Sequence, residues 1–537
     1  MKIKRTVAPI LLAVLAGAML VQLPFAIADR SSVYEWFSPV IDVRDILLKR
    51  YVTEPDQKKM QQAVIEGMVN SLDDPYTTFI PPSRRADLDR ELRGTYVGIG
   101  AEVNIVDGYL TIISPMDGSP ALEAGIMAGD VVLEIEGEST YGKSIDDAIQ
   151  RLLGEPNTQV TLKIRQADGT EVERVVTRRQ IVTRTVRGLR RHGEAWNYCV
   201  DDEHNIAYLR ITQFTGSTAQ DIYATLSEVG MKEIGGLVLD VRDNPGGSLD
   251  AAVDVANLFL NVGTIASVRD RQGKGRTYEA ERNGTLPNFP MVVLVNGASA
   301  SASEIIAGAL QENDRAKVLG TRTFGKASVQ ELRELPFNHG TLKFTVAHYH
   351  LPSGRNLNRL ADSEVWGVDP DPGFVVPVSD RDYMEMLRSR REYEVIREAE
   401  GDDPGCANVN WIKHDLKDVQ LARAVEALRA RAAGQDWPVE DETDPTQLAF
   451  GQELSRAMSE RGRLMERIDQ IEERIREMQG LADRAGRERL VPEDIDVAGG
   501  QLTLRDSDGN VIGEYKIRGG DVEAALRALQ AERRTEG

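Results

Sequence analysis

The segment Asn296-Gly-Ala-Ser-Ala-Ser-Ala-Ser-Glu304 follows an apolar strand pattern, Met291–Val295, and runs into a helical pattern over 302–311. A strand followed by a helix is one step of the alternation that reads as an α/β core. The same alternation fills 186–377: Ile206–Ile211 and Gly236–Asp240 read as apolar strands, and 217–229 and 250–260 as helices. The junction also sets a serine hydroxyl just before a helix N-terminus, where free amides and the positive end of the helix dipole favour negative charge.

A serine needs a base to become a nucleophile. The segment Thr323-Phe-Gly-Lys-Ala-Ser-Val-Gln330 offers Lys326 in a small, apolar setting. A lysine is a base only when neutral, which demands burial that pulls its pKa down from about 10.4. Ser-Lys pairs are a known form of the activated serine. Ser299, Ser301 and Ser303 all compete for the nucleophile, and residue chemistry does not choose among them. Asn244-Pro-Gly-Gly247, after an apolar strand, reads alone as a turn. His348 and His350 share one face of a predicted strand, but no third ligand has matching spacing, so no metal site is expected.

The flanking regions differ in kind. The chain of 537 residues carries 65 basic and 85 acidic side chains, a net charge of −20 that argues against nucleic acid as a partner. Lys2, Lys4 and Arg5, an apolar run from Val7 to Val21 and Ala26-Ile27-Ala28 read as an export signal over 1–28, with an uncleaved anchor to the inner membrane as the alternative. An exported, periplasmic or cell-envelope protein follows. Residues 29–95 have helical spacing at Val40, Val43, Ile46, Leu47 and Tyr51. Residues 378–537 carry a short heptad seam at Leu464, Ile468, Ile471, Ile475 and Met478, a hairpin signal around Asp508-Gly509 and a final helix at 522–529. Cys199 and Cys406 fall in regions read as separate, so two free thiols are expected rather than a bridge.

Residues 96–182 hold strand patterns, the loop Gly98-Ile-Gly100, an Ala-Gly-Ile-x-x-Gly-Asp turn and a closing amphipathic helix. This order resembles a PDZ domain, a small β-domain that accepts an extended peptide as an added strand. The resemblance implies that backbone amides of Gly98, Ile99 and Gly100 hold the peptide's terminal carboxylate.

Over roughly residues 35–377 the chain resembles the carboxyl-terminal processing, or tail-specific, proteases. The motifs are Asp240-Val-Arg-Asp-Asn-Pro-Gly-Gly247, Ser299-Ala-Ser-Ala-Ser-Glu304, Phe324-Gly-Lys326, Gln330, Tyr208-Leu-Arg-Ile-Thr-Gln-Phe214, Pro352-Ser-Gly-Arg355 and Leu72-Asp-Asp-Pro-Tyr76. The resemblance implies Ser301 as nucleophile, Lys326 as general base and Gln330 as the residue that orients the lysine. Ala302 and Gly247, with Gly246 as substitute, become the oxyanion donors, and Glu312 has no catalytic role. With the patterns above it gives four regions after the signal: a helical segment (29–95), a PDZ domain (96–182), an α/β serine protease core (183–377) and, outside the resemblance, a C-terminal extension (378–537). It further implies protein or peptide substrates with exposed C-termini, no metal or organic cofactor, a homo-oligomer, an activating adaptor as a further partner, and control by the PDZ domain with Arg165 as the coupling residue. The competing readings are a non-catalytic PDZ scaffold or regulated partner-dependent envelope protein, and another acyl-transfer enzyme on a similar core.

Overall fold

The computed structural model describes residues 34–85, 95–397 and 405–438 apart from a few single positions, and parts of 450–516. It divides into two compact units at residue 448.

The first unit is built on a six-stranded sheet ordered Val186–Arg187, Ile206–Ile211, Gly236–Asp240, Met291–Val295, Lys317–Gly320, with Cys199–Asp201 also paired to Ile206–Ile211. The four strands from Ile206–Ile211 to Lys317–Gly320 run parallel. Gly236–Asp240 and Met291–Val295 are buried at every position, as parallel strands covered on both faces must be. Leu237, Leu239 and Val241 point to a core made with the helices Thr218–Val229, Leu249–Phe259 and Ala302–Glu312. Val238, Val292 and Leu294 point the other way, against Ile412, Leu421, Val425 and Leu428.

That second layer moves the expected boundary. The helices Val409–His414 and Val419–Ala432 lie beyond residue 377, yet they cover one face of the protease sheet. The reason is that the alternating pattern up to residue 377 supplies helices for only one face of a sheet apolar on both. The same return of the chain corrects the cysteine expectation. Cys199 and Cys406 form a disulfide with Cα atoms 4.8 Å apart, and the Ala407 amide donates to the Cys199 carbonyl at 3.2 Å.

A second sheet carries Thr78–Ile80, Thr341–His350, Thr264–Asp270 and Gly275–Glu279, with Ser328–Glu334 also paired to Thr341–His350. The segment after the N-terminal helices is thus an edge of the sheet that holds the Lys326 loop. Those helices, 34–50 and Gln57–Asn70, leave Tyr34, Trp36, Ile46 and Met68 exposed. The PDZ region forms its own six-stranded sheet, with Ala101–Val106 at one edge beside the helix Ile145–Leu152.

In the second unit Gln501–Arg505 pairs antiparallel with Val511–Lys516, and Asp508 of the hairpin signal lies outside the described residues. Of the heptad seam, Leu464, Ile468, Ile475 and Met478 lie outside the described residues, as does 522–529; Ile471 is helical and exposed.

Candidate active site

The three serines are sorted by what their hydroxyls do. Ser299 Oγ donates to the Val241 carbonyl at 2.7 Å, and Ser303 Oγ to the Asn244 carbonyl at 2.9 Å; both residues are fully buried. These bonds fasten the serine segment to the loop after Gly236–Asp240. Ser301 alone of the three is not fully buried. It is the N-cap of Ala302–Glu312, with φ 57° and ψ −115°. A backbone held this far from the common wells costs of order 1–3 kcal/mol and persists only where its surroundings enforce it.

Glu304 does much of the enforcing. Its side chain is completely buried. Oε2 accepts the amides of Ser301 at 2.8 Å and Lys326 at 2.9 Å. Oε1 accepts the Gly325 amide at 2.7 Å and the Thr323 hydroxyl at 2.6 Å. One carboxylate oxygen therefore clamps the serine turn to the lysine loop. Burial pushes the Glu304 pKa up to about 7, against the four donors, which favour the anion. In the sequence Glu304 stands only as the end of a motif. Its signal was present: Ser301 and Glu304 stand in the S-x-x-E spacing of a capping box, where the glutamate reaches back to the N-cap amide.

Lys326 is half-buried. Burial pulls its pKa below the ordinary value and Lys343 adds to this, while Glu304 and Asp74 act in the opposite sense. Its Nζ sits 4.5 Å from the centroid of the Tyr76 ring. Tyr76 comes from the N-terminal segment, where it ends the Leu72-Asp-Asp-Pro-Tyr76 motif. The same turn brings Asp74, whose Oδ2 accepts the hydroxyls of Thr77 and Thr345, each at 2.6 Å.

Gln330 departs from expectation. Its Nε2 donates to Ser328 Oγ at 2.7 Å and to Thr345 Oγ1 at 3.4 Å, not to Lys326. The strand Ser328–Glu334 puts residues 328 and 330 on one face, and Gln330 pairs directly with Thr345 across the ladder. The four-residue spacing from Lys326 does not by itself aim the amide at the lysine.

The Asn244-Pro-Gly-Gly247 loop lies against Ser301. A Cβ on Gly246 would stand 2.7 Å from Ser301 Cβ and 2.9 Å from the Ala302 amide nitrogen, so only glycine allows this approach. The Gly246 amide is already spent on Asn244 Oδ1 at 2.9 Å. Phe214 pairs with the carbonyl of Gly246 and the amide of Ser248, passing over the Gly247 amide. Among the described residues the amides of Gly247 and of Ala302, the first residue of its helix, make no hydrogen bond.

In the PDZ region the carbonyls of Ile99 and Gly100 accept the amides of Ala121 and Met116, each at 2.9 Å. A trans peptide then turns the Gly100 N–H away from this inner contact. Gly98 ends the strand Thr95–Gly98, opposite Arg179. Among the described residues Ala101–Val106 has an unpaired edge beside Ile145–Leu152, the geometry that strand addition requires.

Family models described as Peptidase family S41, PDZ domain and Activating protease CtpB N-terminal domain match residues 205–372, 111–166 and 26–82. A carboxy-terminal-processing protease of Bartonella bacilliformis is 32% identical over 418 residues, 76% of this chain and 92% of that relative. The chain belongs to the carboxyl-terminal processing proteases of peptidase family S41. It is also similar to the carboxyl-terminal-processing protease of Synechocystis, at 35% identity over 61% of this chain and 74% of the relative. For the carboxy-terminal processing protease CtpA of Bacillus subtilis the figures are 33%, 58% and 64%. Among solved structures, a photosystem II D1 C-terminal processing protease is 31% identical, covering 63% of this chain and 86% of its own, with a TM-score of 0.38.

Within this processing protease, the PDZ domain is held to the core by polar contacts. Arg191 makes a two-pronged pair with Asp117 at 2.6 and 3.0 Å and stacks on Trp196 at 3.9 Å. Arg391 reaches Glu102 at 2.9 Å. Arg165, expected as the coupling residue, is not among these contacts. Its guanidinium lies 5.7 Å from the Tyr109 ring, and its strand neighbours are Val131 and Glu171, all inside the PDZ domain. As the last residue of an internal PDZ strand, Arg165 faces its own domain.

Proposed function

We propose that this processing protease is an exported endopeptidase in which Ser301 is the nucleophile and Lys326 the general base. One observation carries the reading: a single oxygen of buried Glu304 holds the amides of both residues, beside a lysine whose charge is disfavoured by burial. Neutral Lys326 takes the Ser301 proton as Oγ attacks the peptide carbonyl. The amides of Gly247 and Ala302 receive the oxyanion, and the helix N-terminus adds its dipole. The lysine then protonates the leaving amine, and the acyl-enzyme is hydrolysed by a water that Lys326 activates. Gln330 acts at one remove, through Ser328 and Thr345. A substrate's C-terminal tail adds to Ala101–Val106, its carboxylate at Gly98, Ile99 and Gly100.

Export is supported by the N-terminal signal pattern and by the Cys199–Cys406 disulfide, which persists in oxidising compartments. A homo-oligomer is supported by the apolar residues that the N-terminal helices leave exposed, Tyr34, Trp36, Ile46 and Met68. An activating adaptor is the second partner of this reading.

The test is cleavage of peptides with free apolar C-termini by wild type, Ser301→Ala and Lys326→Ala. Each variant is expected to lose at least about 10³-fold in kcat/KM. Cleavage by Ser301→Ala at the wild-type rate removes the assignment and leaves the scaffold reading.

A further inference from the structure

Tyr349 lies on the strand Thr341–His350, and its amide donates to the Ala327 carbonyl at 2.9 Å. It is thereby fastened to the residue next to Lys326. Its ring belongs to the main core and is 2% exposed. The phenol tip, however, reaches the reacting groups: it comes beside the Ser301 side chain, with Glu304 and Tyr76 close enough to act on it. Among the described residues the hydroxyl is buried and completes no hydrogen bond of ordinary geometry. A buried hydroxyl without a partner is rare and destabilising, and phenylalanine would fill the same space without that penalty. Burial, with the Glu304 charge adding to it, outweighs the Ser301 contact, which acts in the opposite sense, and holds the phenol protonated well above its usual range. The group is a permanent donor, and the acceptor it approaches is the Ser301 oxygen.

We propose that Tyr349 is a further catalytic residue of this protease, donating its O–H to Ser301 Oγ and so turning the serine's own proton toward Lys326. The inference rests on the Ser301–Lys326 reading. A serine hydroxyl has one proton and two lone pairs. With one pair held by Tyr349, the proton is left for the Lys326 amine and the other pair for the carbonyl carbon. In acylation the Oγ–C bond forms, the serine proton moves to Nζ and the carbonyl electron pair moves to the oxyanion; Tyr349 keeps its proton. In deacylation Oγ departs with the bonding pair and takes its proton back from the Lys326 ammonium, and the phenol stabilises the charge that develops on it. A donor that strengthens as charge develops acts on kcat rather than on KM.

The experiment is Tyr349→Phe in the full chain, with three readouts: thermal unfolding, kcat and KM on a tail peptide, and the rate of Ser301 labelling by a fluorophosphonate. The expected result is a Tm equal to or above wild type, an unchanged KM, and a fall of at least about ten-fold in both kcat and labelling rate. A fall smaller than ten-fold in the labelling rate overturns the inference. So does a lowered Tm with activity regained on cooling, which marks a structural role. Ser301→Ala and Lys326→Ala run alongside: if they are inactive while Tyr349→Phe matches wild type, only the tyrosine's role fails. If Ser301→Ala still cleaves, the underlying assignment fails instead.

Discussion

Two buried carboxylate clusters flank the protease sheet, and they offset desolvation in different ways. Toward the C-terminal helices, Asp240 and Asp418 each pair with Arg242 at 2.7 Å, and Arg390 closes on Asp418 at 3.0 Å. Burial raises the Asp240 pKa, but Arg242 and Arg390 outweigh it and hold the carboxyl well below the usual range. Toward the other helices, Glu304 makes no ion pair among the described residues and is held by three amides and a hydroxyl. There burial prevails, and the pKa is pushed up to about 7. Paired charges keep one state across the working pH range and join the helices beyond residue 377 to the sheet. The donor-held carboxylate changes state near neutrality, and it sits under the serine turn and the lysine loop.

The largest effect is expected from removing one member of the paired cluster. Asp418→Asn leaves Arg242 and Arg390 sharing a single buried carboxylate, and is expected to lose about 3–5 kcal/mol in urea unfolding. A loss below about 1 kcal/mol would mean that charge pairing contributes little there.

Next comes the pH dependence of Glu304. Its folded pKa lies above its ordinary value of 4.5, so its contribution to stability is complete below pH 4.5 and is lost as pH rises toward about 7. Glu304→Gln cannot titrate, and its amide NH₂ confronts donors that need an acceptor. The stability of wild type relative to Glu304→Gln is expected to fall by up to about 3 kcal/mol between those two pH values. A constant difference in urea unfolding at pH 4.5 and 7 would show that the four donors, rather than burial, set the carboxylate.

The smallest effect concerns Tyr76. A ring face stabilises the ammonium form of Lys326 and opposes the burial that lowers its pKa. Activity is expected to rise with pH as Lys326 loses its proton, along a limb centred below 10.5. Tyr76→Leu should move that limb about 0.5–1 pH unit lower, and Tyr76→Phe should leave it in place. An unmoved limb in the leucine variant would make the ring a packing surface only.

Much of this was legible in the chain because its signals are local. Strands Ile206–Ile211, Gly236–Asp240 and Met291–Val295 announce themselves as continuous apolar runs, and the structure has them with those bounds. The serine and lysine segments stand out because small residues cluster around a reactive side chain. The return of residues 405–432 over the sheet was not legible, since nothing near Cys406 names Cys199 as its neighbour. Nor was the aim of Gln330, which depends on which side chain lies opposite it in the ladder, nor the approach of Tyr76 from a segment more than two hundred residues away.

By itself the sequence determined the order of elements, the α/β layering, the PDZ pattern and the motifs that mark a processing protease, because spacing and composition act through neighbours in the chain. Tertiary structure decided which of three serines keeps an accessible side chain, which glycine amide is left unspent, and that one buried glutamate holds serine and lysine loops together. Those outcomes turn on which donors and acceptors remain unmatched after packing, and that balance exists only once distant segments have met.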